Sequence, residues 1–114
     1  MHPLTVGQRY CLRLPNGRSL GHVHIKQLDN GWAEGPFVPT SDFEAFRDLF
    51  ARESQLRHDQ IIPLWEEAAD AIEALGIEVT EEPGLVPHRG LRVFIEGDDA
   101  IIGTAQPSGV SANP

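Results

Sequence analysis

The sequence predicts an α+β protein in which a mostly antiparallel sheet carries a helical hairpin on one face, in the order β-β-β-α-α-β-β-β. Three observations predict this class: alternating apolar residues with tight turns in the first forty positions, helical spacing over 42–75, and a second hairpin after Leu91. Strands and helices do not alternate along the chain, so a doubly wound parallel sheet is not expected. A small SH3-like barrel with an inserted helical hairpin is the second architecture compatible with this order.

The first forty residues have the pattern of a three-stranded meander. Apolar residues alternate over 10–14, which is the period of a strand with one buried face. The Asn-Gly pair at 16–17 is typical of type I′ turns, because both turn positions need positive φ. The alternation continues in two further segments separated by an Asp-Asn-Gly turn, residues 20–28 and 32–38. Pro36 lacks an amide donor, which predicts an edge strand or a bulge there.

The central residues 42–75 are predicted to form a helical hairpin, or one helix kinked near 59–63, from the spacing of their apolar side chains. Ser41 and Glu44 have capping-box spacing, so each can satisfy a backbone amide at the helix start. Pro63 disfavours the α conformation in the residue before it and therefore predicts the break.

The last third of the chain returns to strand patterning. Residues 77–79 are a short strand candidate, and the proline- and glycine-rich residues 80–90 are expected to form a loop. Apolar alternation around a Glu-Gly-Asp-Asp turn predicts a hairpin over 91–104. We assign residues 1–105 to a single α+β domain and the small, polar residues 106–114 to a disordered tail.

The composition excludes several classes of partner. With 9 basic and 17 acidic side chains among 114 residues the formal net charge is −8, and Lys26 is the only lysine. Binding to nucleic acid or to an anionic membrane surface needs clustered cations, so neither is expected. Cys11 cannot form an internal disulfide, and no signal peptide or apolar run of about 20 residues is found, which predicts a cytoplasmic protein.

The negative charge is concentrated in the middle of the chain. Residues 41–83 carry a formal charge of −9, whereas residues 1–40 carry +2. The second helical stretch presents four carboxylates on or beside one face: Glu66, Glu67, Asp70 and Glu73. A solvated helix face accounts for this pattern. The alternatives are a hard-cation or acid–base site, and an acidic surface over about 42–82 that attracts a basic partner.

His22 and His24 are the candidate metal ligands. Side chains two positions apart on a strand point to the same face, so the two imidazoles could chelate one transition metal. Alternatively, Val23 and Ile25 face the core and the histidines lie on a solvated face. The sequence identifies no third ligand, which favours the second interpretation.

Cys11 is a candidate nucleophile, because Arg9 and Arg13 lie beside it on the strand and positive neighbours activate a thiolate. No local signature surrounds it, and a single cysteine on a strand is more often a small apolar filler.

Trp32 and Phe94 are the candidate interface residues. Phe94 lies on the strand face opposite Val93 and Ile95, and Trp32 follows a turn. If both side chains are exposed, they can form an aromatic contact surface of the kind that dominates protein interfaces. The equally weighted alternative is that the helical hairpin or the 80–90 loop covers both side chains.

No constellation of nucleophile, base and oxyanion donor is found, and no phosphate-binding loop or paired Cys-x-x-Cys element. We therefore expect a non-catalytic cytoplasmic module that acts through protein–protein contact, with a homodimer as one form, and no cofactor. A metal binder or metal-dependent enzyme using His22 and His24 is the second hypothesis. An acidic inhibitor or immunity-like protein that binds a basic partner is the third.

Overall fold

The computed structural model describes residues 3–82 and 87–104. Within them the chain forms these elements in order: β1 (Arg9–Arg13), β2 (Ser19–His24), β3 (Gln27–Asp29), β4 (Trp32–Pro39), a 3₁₀ helix (Ser41–Ala45), α1 (Arg47–His58), α2 (Ile62–Glu73), β5 (Glu78–Glu81), β6 (Pro87–His88), β7 (Leu91–Glu96) and β8 (Asp99–Thr104). The tail predicted over 106–114 lies outside the described residues.

The strands form one curled antiparallel sheet with the order β6-β5-β1-β2-β4-β8-β7, and β3 pairs with β4 off this path. Helices α1 and α2 pack against each other and against β7, the strand at one end of the described sheet. The predicted α+β class, with a helical hairpin on a mostly antiparallel sheet, is therefore confirmed. The curl gives the sheet the shape of a half-barrel.

The predicted strand over 20–28 is divided into β2 and β3. The division falls at Ile25 and Lys26, where the Ile25 amide donates to Gln8 O and the Lys26 amide donates to Glu34 O. Strand β4 is central rather than an edge, because β8 lies on one side of it and β2 and β3 lie on the other. Pro36 lies in the gap between the β3 and β2 pairings, so its missing donor costs no ladder hydrogen bond.

The helix break near 59–63 is confirmed, with Pro63 in the first turn of α2. The capping box is wrong: the segment begins as a 3₁₀ helix without a side-chain cap, and Glu44 instead accepts hydrogen bonds from Arg47 at 2.6 and 3.0 Å. The segment expected to be a loop also contains strand pairing, because Thr80 pairs with Pro87 in the ladder of β5 and β6.

The core is one cluster of buried apolar side chains contributed by both the sheet and the helices. Its buried members come from every major element and include Tyr10, Leu12, Val23, Ile25, Phe37, Phe43, Phe50, Ile72, Val79, Val93, Ile95 and Ile102. Among the described residues, no helix is both long enough and apolar enough to cross a membrane.

Candidate functional site

A groove of about 760 Å³ lies between α2, β7, β8 and the start of β4. Three aromatic side chains line it, Trp32, Trp65 and Phe94, and we call this groove the aromatic pocket. Its charged lining residues are Arg57, Glu66, Asp70 and Arg92. Its size is within the range of about 300–1,000 Å³ that is usual for ligand sites.

The strand register brings the pocket residues of the sheet onto one face. Phe94 pairs with Ile101 of β8, and Trp32 of β4 pairs with Gly103 of the same strand. Phe94 therefore points away from the core positions Val93 and Ile95, as the alternation predicted.

The three rings form a contiguous aromatic wall. The centroid of Phe94 is 5.9 Å from that of Trp32 and 6.3 Å from that of Trp65, with tilted planes in both pairs. Phe94 is only 6% exposed and forms the floor, whereas Trp32 and Trp65 are half-buried. Because Phe94 is covered, a charged residue at this position is expected to destabilise the fold as well as alter association.

Glu53 of α1 holds two of the residues that line the pocket, Arg57 and Trp65. Its side chain is completely buried and accepts hydrogen bonds from Arg57 Nε at 2.7 Å and Arg57 Nη2 at 3.2 Å. Oε2 also accepts a hydrogen bond from the indole Nε1 of Trp65 at 2.7 Å. A buried carboxylate with a bidentate guanidinium partner is compensated in charge and in hydrogen bonding.

Arg57 links this buried carboxylate to the sheet. Its Nη1 donates to Glu96 at 3.0 Å, and its guanidinium carbon lies 5.4 Å from the centre of the Phe94 ring. Hydrogen bonding from Arg57, and to a smaller extent from His58, lowers the pKa of Glu96. Burial opposes the charge on Arg57, but the hydrogen bonds to Glu53 and Glu96 outweigh it, so the pKa of Arg57 is raised.

The second pocket arginine, Arg92, is also paired. Its Nη2 donates to Glu73 of α2 at 3.2 Å, while its Nε is buried without a hydrogen-bond partner among the described residues. Glu66 and Asp70 differ, because both are exposed and neither carboxylate has a partner in the described part of the chain. At the pocket, Arg57 and Arg92 are therefore each bonded to a carboxylate, whereas the carboxylates of Glu66 and Asp70 have no partner among the described residues.

The candidate metal ligands diverge from each other. His22 Nδ1 pairs with the Glu82 carboxylate, whereas His24 Nε2 lies 3.2 Å from the carbonyl oxygen of Gly7. His22 instead comes together with Cys11 and Glu82, whose ligand atoms all lie within 4.8 Å of one another. His24 belongs to no such group within residues 3–82 and 87–104.

Cys11, the candidate nucleophile, is 3% exposed. It has a histidine beside it, because Cys11 of β1 pairs directly with His22 of β2. Its Sγ lies 3.2 Å from Ser19 Oγ and 3.8 Å from Arg13 Nη2.

Sequence reasoning brought forward Trp32 and Phe94, which meet in the pocket, but it missed four residues that complete the two clusters. These are Trp65, Arg57, Glu53 and Glu82, which no motif in the sequence singles out. Glu53 and Arg57 have the i, i+4 spacing of a helix ion pair, which was the one available local signal.

Comparison of the chain with protein-family models, with curated proteins and with solved structures found no match. The fold defines the chain as an α+β protein with a curled antiparallel sheet.

Proposed function

We propose that this chain is a non-catalytic protein-interaction module whose aromatic pocket receives an arginine or lysine side chain of a basic partner. The observation that carries the proposal is the pairing of aromatic walls with free carboxylates. Trp32 and Trp65 are half-buried and line the groove, and the unpaired Glu66 and Asp70 lie at the same groove.

Both kinds of group attract a cation. A guanidinium or ammonium over an indole face gains about 0.5–2 kcal/mol, with the larger values where the cation is desolvated. The carboxylates add charge-assisted hydrogen bonds. Neither resident arginine is bonded to Glu66 or Asp70 among the described residues, because Arg57 donates to Glu53 and Glu96 and Arg92 donates to Glu73.

The charge of the chain favours a partner other than a second copy through this face. The segment 41–83, which contains Glu66 and Asp70, carries −9, and this charge favours the approach of a basic partner over that of a second acidic copy. A homodimer through another face is compatible with the proposal. We place the module in the cytoplasm, where a single unpaired cysteine fits the reducing environment.

The proposal is tested by tryptophan fluorescence, because the chain has two tryptophans and both line the aromatic pocket. The purified protein is titrated with a short acetylated peptide containing two arginines, and with the same peptide carrying uncharged citrulline in their place. We expect saturable quenching or a spectral shift with the arginine peptide only, weakening as salt increases.

The double variant Glu66→Gln, Asp70→Asn should weaken arginine-peptide binding by about 5–30-fold, which corresponds to about 1–2 kcal/mol. Glu67→Gln is the matched control, because Glu67 is an exposed carboxylate of the same helix that does not line the groove. Equal responses to the arginine and citrulline peptides, or equal losses in the control and the double variant, would overturn the proposal. Native mass spectrometry of the protein without peptide separately tests whether it forms a homodimer.

A further inference from the structure

We infer that Cys11, His22 and Glu82 form a binding site for one divalent transition metal of the zinc class. The sulfur, the imidazole nitrogen and the carboxylate oxygen are three donors that Zn²⁺ accepts in proteins. The three ligand atoms lie within 4.8 Å of one another. Tetrahedral coordination at usual bond lengths needs separations of about 3.3–3.6 Å between ligand atoms. A bound ion therefore replaces the direct hydrogen bond between His22 Nδ1 and Glu82, and these two side chains move slightly apart to admit it.

Three neighbouring strands hold these residues in place. Cys11 of β1 is the direct cross-strand partner of His22 on β2 and of Thr80 on β5. Glu82 follows β5, and its backbone is fixed on both sides: its amide donates to Arg9 O at 3.0 Å, and its carbonyl accepts from Gln8 Nε2 at 2.9 Å. The ligands are therefore preorganised by the sheet ladder, which lowers the ordering cost of binding.

The exposure of the three side chains fits a metal site that is open to solvent on one side. Cys11 lies beneath the pair formed by His22 and Glu82, which spans β1 from the strands on either side. The side chains of His22 and Glu82 are 36% and 31% exposed, so an ion held above the sulfur is reachable from solvent. Three protein ligands would leave the fourth position of a tetrahedral ion on that open side.

The surroundings of the sulfur also favour metal ligation. Ser19 Oγ at 3.2 Å and Arg13 Nη2 at 3.8 Å are positioned to donate to a ligating thiolate. Hydrogen-bond donors beside a metal ligand orient that ligand and tune its affinity for the metal. The site is separate from the aromatic pocket, so it neither requires nor excludes the peptide-binding function.

The test is metal binding by the untagged, chelator-treated full chain, measured by elemental analysis after equilibration with Zn²⁺ and by absorption spectroscopy with Co²⁺. We expect one metal per chain and a sulfur-to-cobalt charge-transfer band. Zn²⁺ should also raise the melting temperature, since a ligand that binds only the folded state stabilises it.

Cys11→Ser, His22→Gln and Glu82→Gln should each weaken Zn²⁺ binding by about 100-fold or more. Residues that only hydrogen-bond to a metal ligand usually cost about 10–100-fold when replaced. His24→Gln is the matched control and should bind Zn²⁺ as tightly as the parent. Circular dichroism before metal addition separates lost binding from lost folding, and Glu82→Gln, at a partly exposed strand end, is the variant best suited to stay folded.

Three results would overturn the inference: no stoichiometric metal on the parent chain, retention of metal and of the charge-transfer band in Cys11→Ser, or equal losses in His24→Gln and His22→Gln. The last result would instead indicate chelation by the two histidines of β2.

Discussion

The indole Nε1 of Trp65 donates a hydrogen bond to Oε2 of Glu53 across 2.7 Å, and this contact joins the two helices of the hairpin at a carboxylate with no solvent exposure. The same carboxylate receives two hydrogen bonds from Arg57, which in turn reaches Glu96 on β7. One buried acid thus fixes the position of a pocket tryptophan and ties the helices to the sheet.

We expect Glu53→Ala to lower the free energy of unfolding by about 2–4 kcal/mol, because it leaves a half-buried guanidinium with only Glu96 and removes the acceptor of the Trp65 indole N–H. Urea denaturation followed by circular dichroism measures the loss. Glu53→Gln keeps an acceptor for Trp65 and should cost less. Glu67→Ala on the exposed face of α2 is the control, expected to stay within about 0.5 kcal/mol of the parent. A loss from Glu53→Ala no larger than that of the control would contradict the role assigned to this network.

The stability of the protein should depend on pH through Glu96. Hydrogen bonds from Arg57 and His58 lower its pKa from the ordinary 4.5, so the unfolded chain takes up the proton at a higher pH than the folded chain. The stabilisation by ionised Glu96 is fully present at pH values well above the ordinary pKa of 4.5. It is lost as the pH falls through the lower pKa that Glu96 has in the folded protein.

Urea denaturation of the parent and of Glu96→Gln from about pH 7 to about pH 3 measures this contribution. The parent should be the more stable at neutral pH, and the difference should shrink on acidification. His58→Gln should keep most of the pH dependence, because Arg57 is the larger cause of the shift. Parallel curves for the parent and Glu96→Gln would rule out a contribution from this carboxylate.

Gly103 provides the space that the Trp32 ring occupies. A Cβ at this position would lie 2.5 Å from Trp32 ring atoms, so Gly103→Ala should displace the indole. We expect a loss of about 1–3 kcal/mol in unfolding free energy, a shift in tryptophan emission and weaker binding of the arginine peptide. Introducing Gly103→Ala into a Trp32→Ala background should cost less, because the clash is gone. An equal cost in both backgrounds would place the strain elsewhere.

Local patterning in the sequence was enough for most of the strands and helices and for the face that Phe94 takes. The period of two placed Phe94 opposite Val93 and Ile95, and Pro63 marked the division between α1 and α2, both as found. The capping box at Ser41 and Glu44 is wrong because Ser41 lies inside the 3₁₀ helix, with Thr40 at its N-cap, and Glu44 accepts hydrogen bonds from Arg47 instead. The strand period of two also predicts that His22 and His24 share one face of the sheet. Two rings on one face need not bind the same ion, and here His22 contacts Glu82 whereas His24 contacts the carbonyl oxygen of Gly7.

The α+β class, the acidic character of the middle segment and the candidate aromatics follow from residue spacing and composition, because these depend on neighbours within a few positions. Contacts between distant segments depend on how strands pair and where the helical hairpin docks, and those choices minimise exposed apolar surface over the whole chain. The pairing of β5 with β1 brings Glu82 to His22 across 60 residues, and docking on β7 brings Trp65 to Phe94. Both candidate sites exist only after that assembly, because no local segment contains all of their parts.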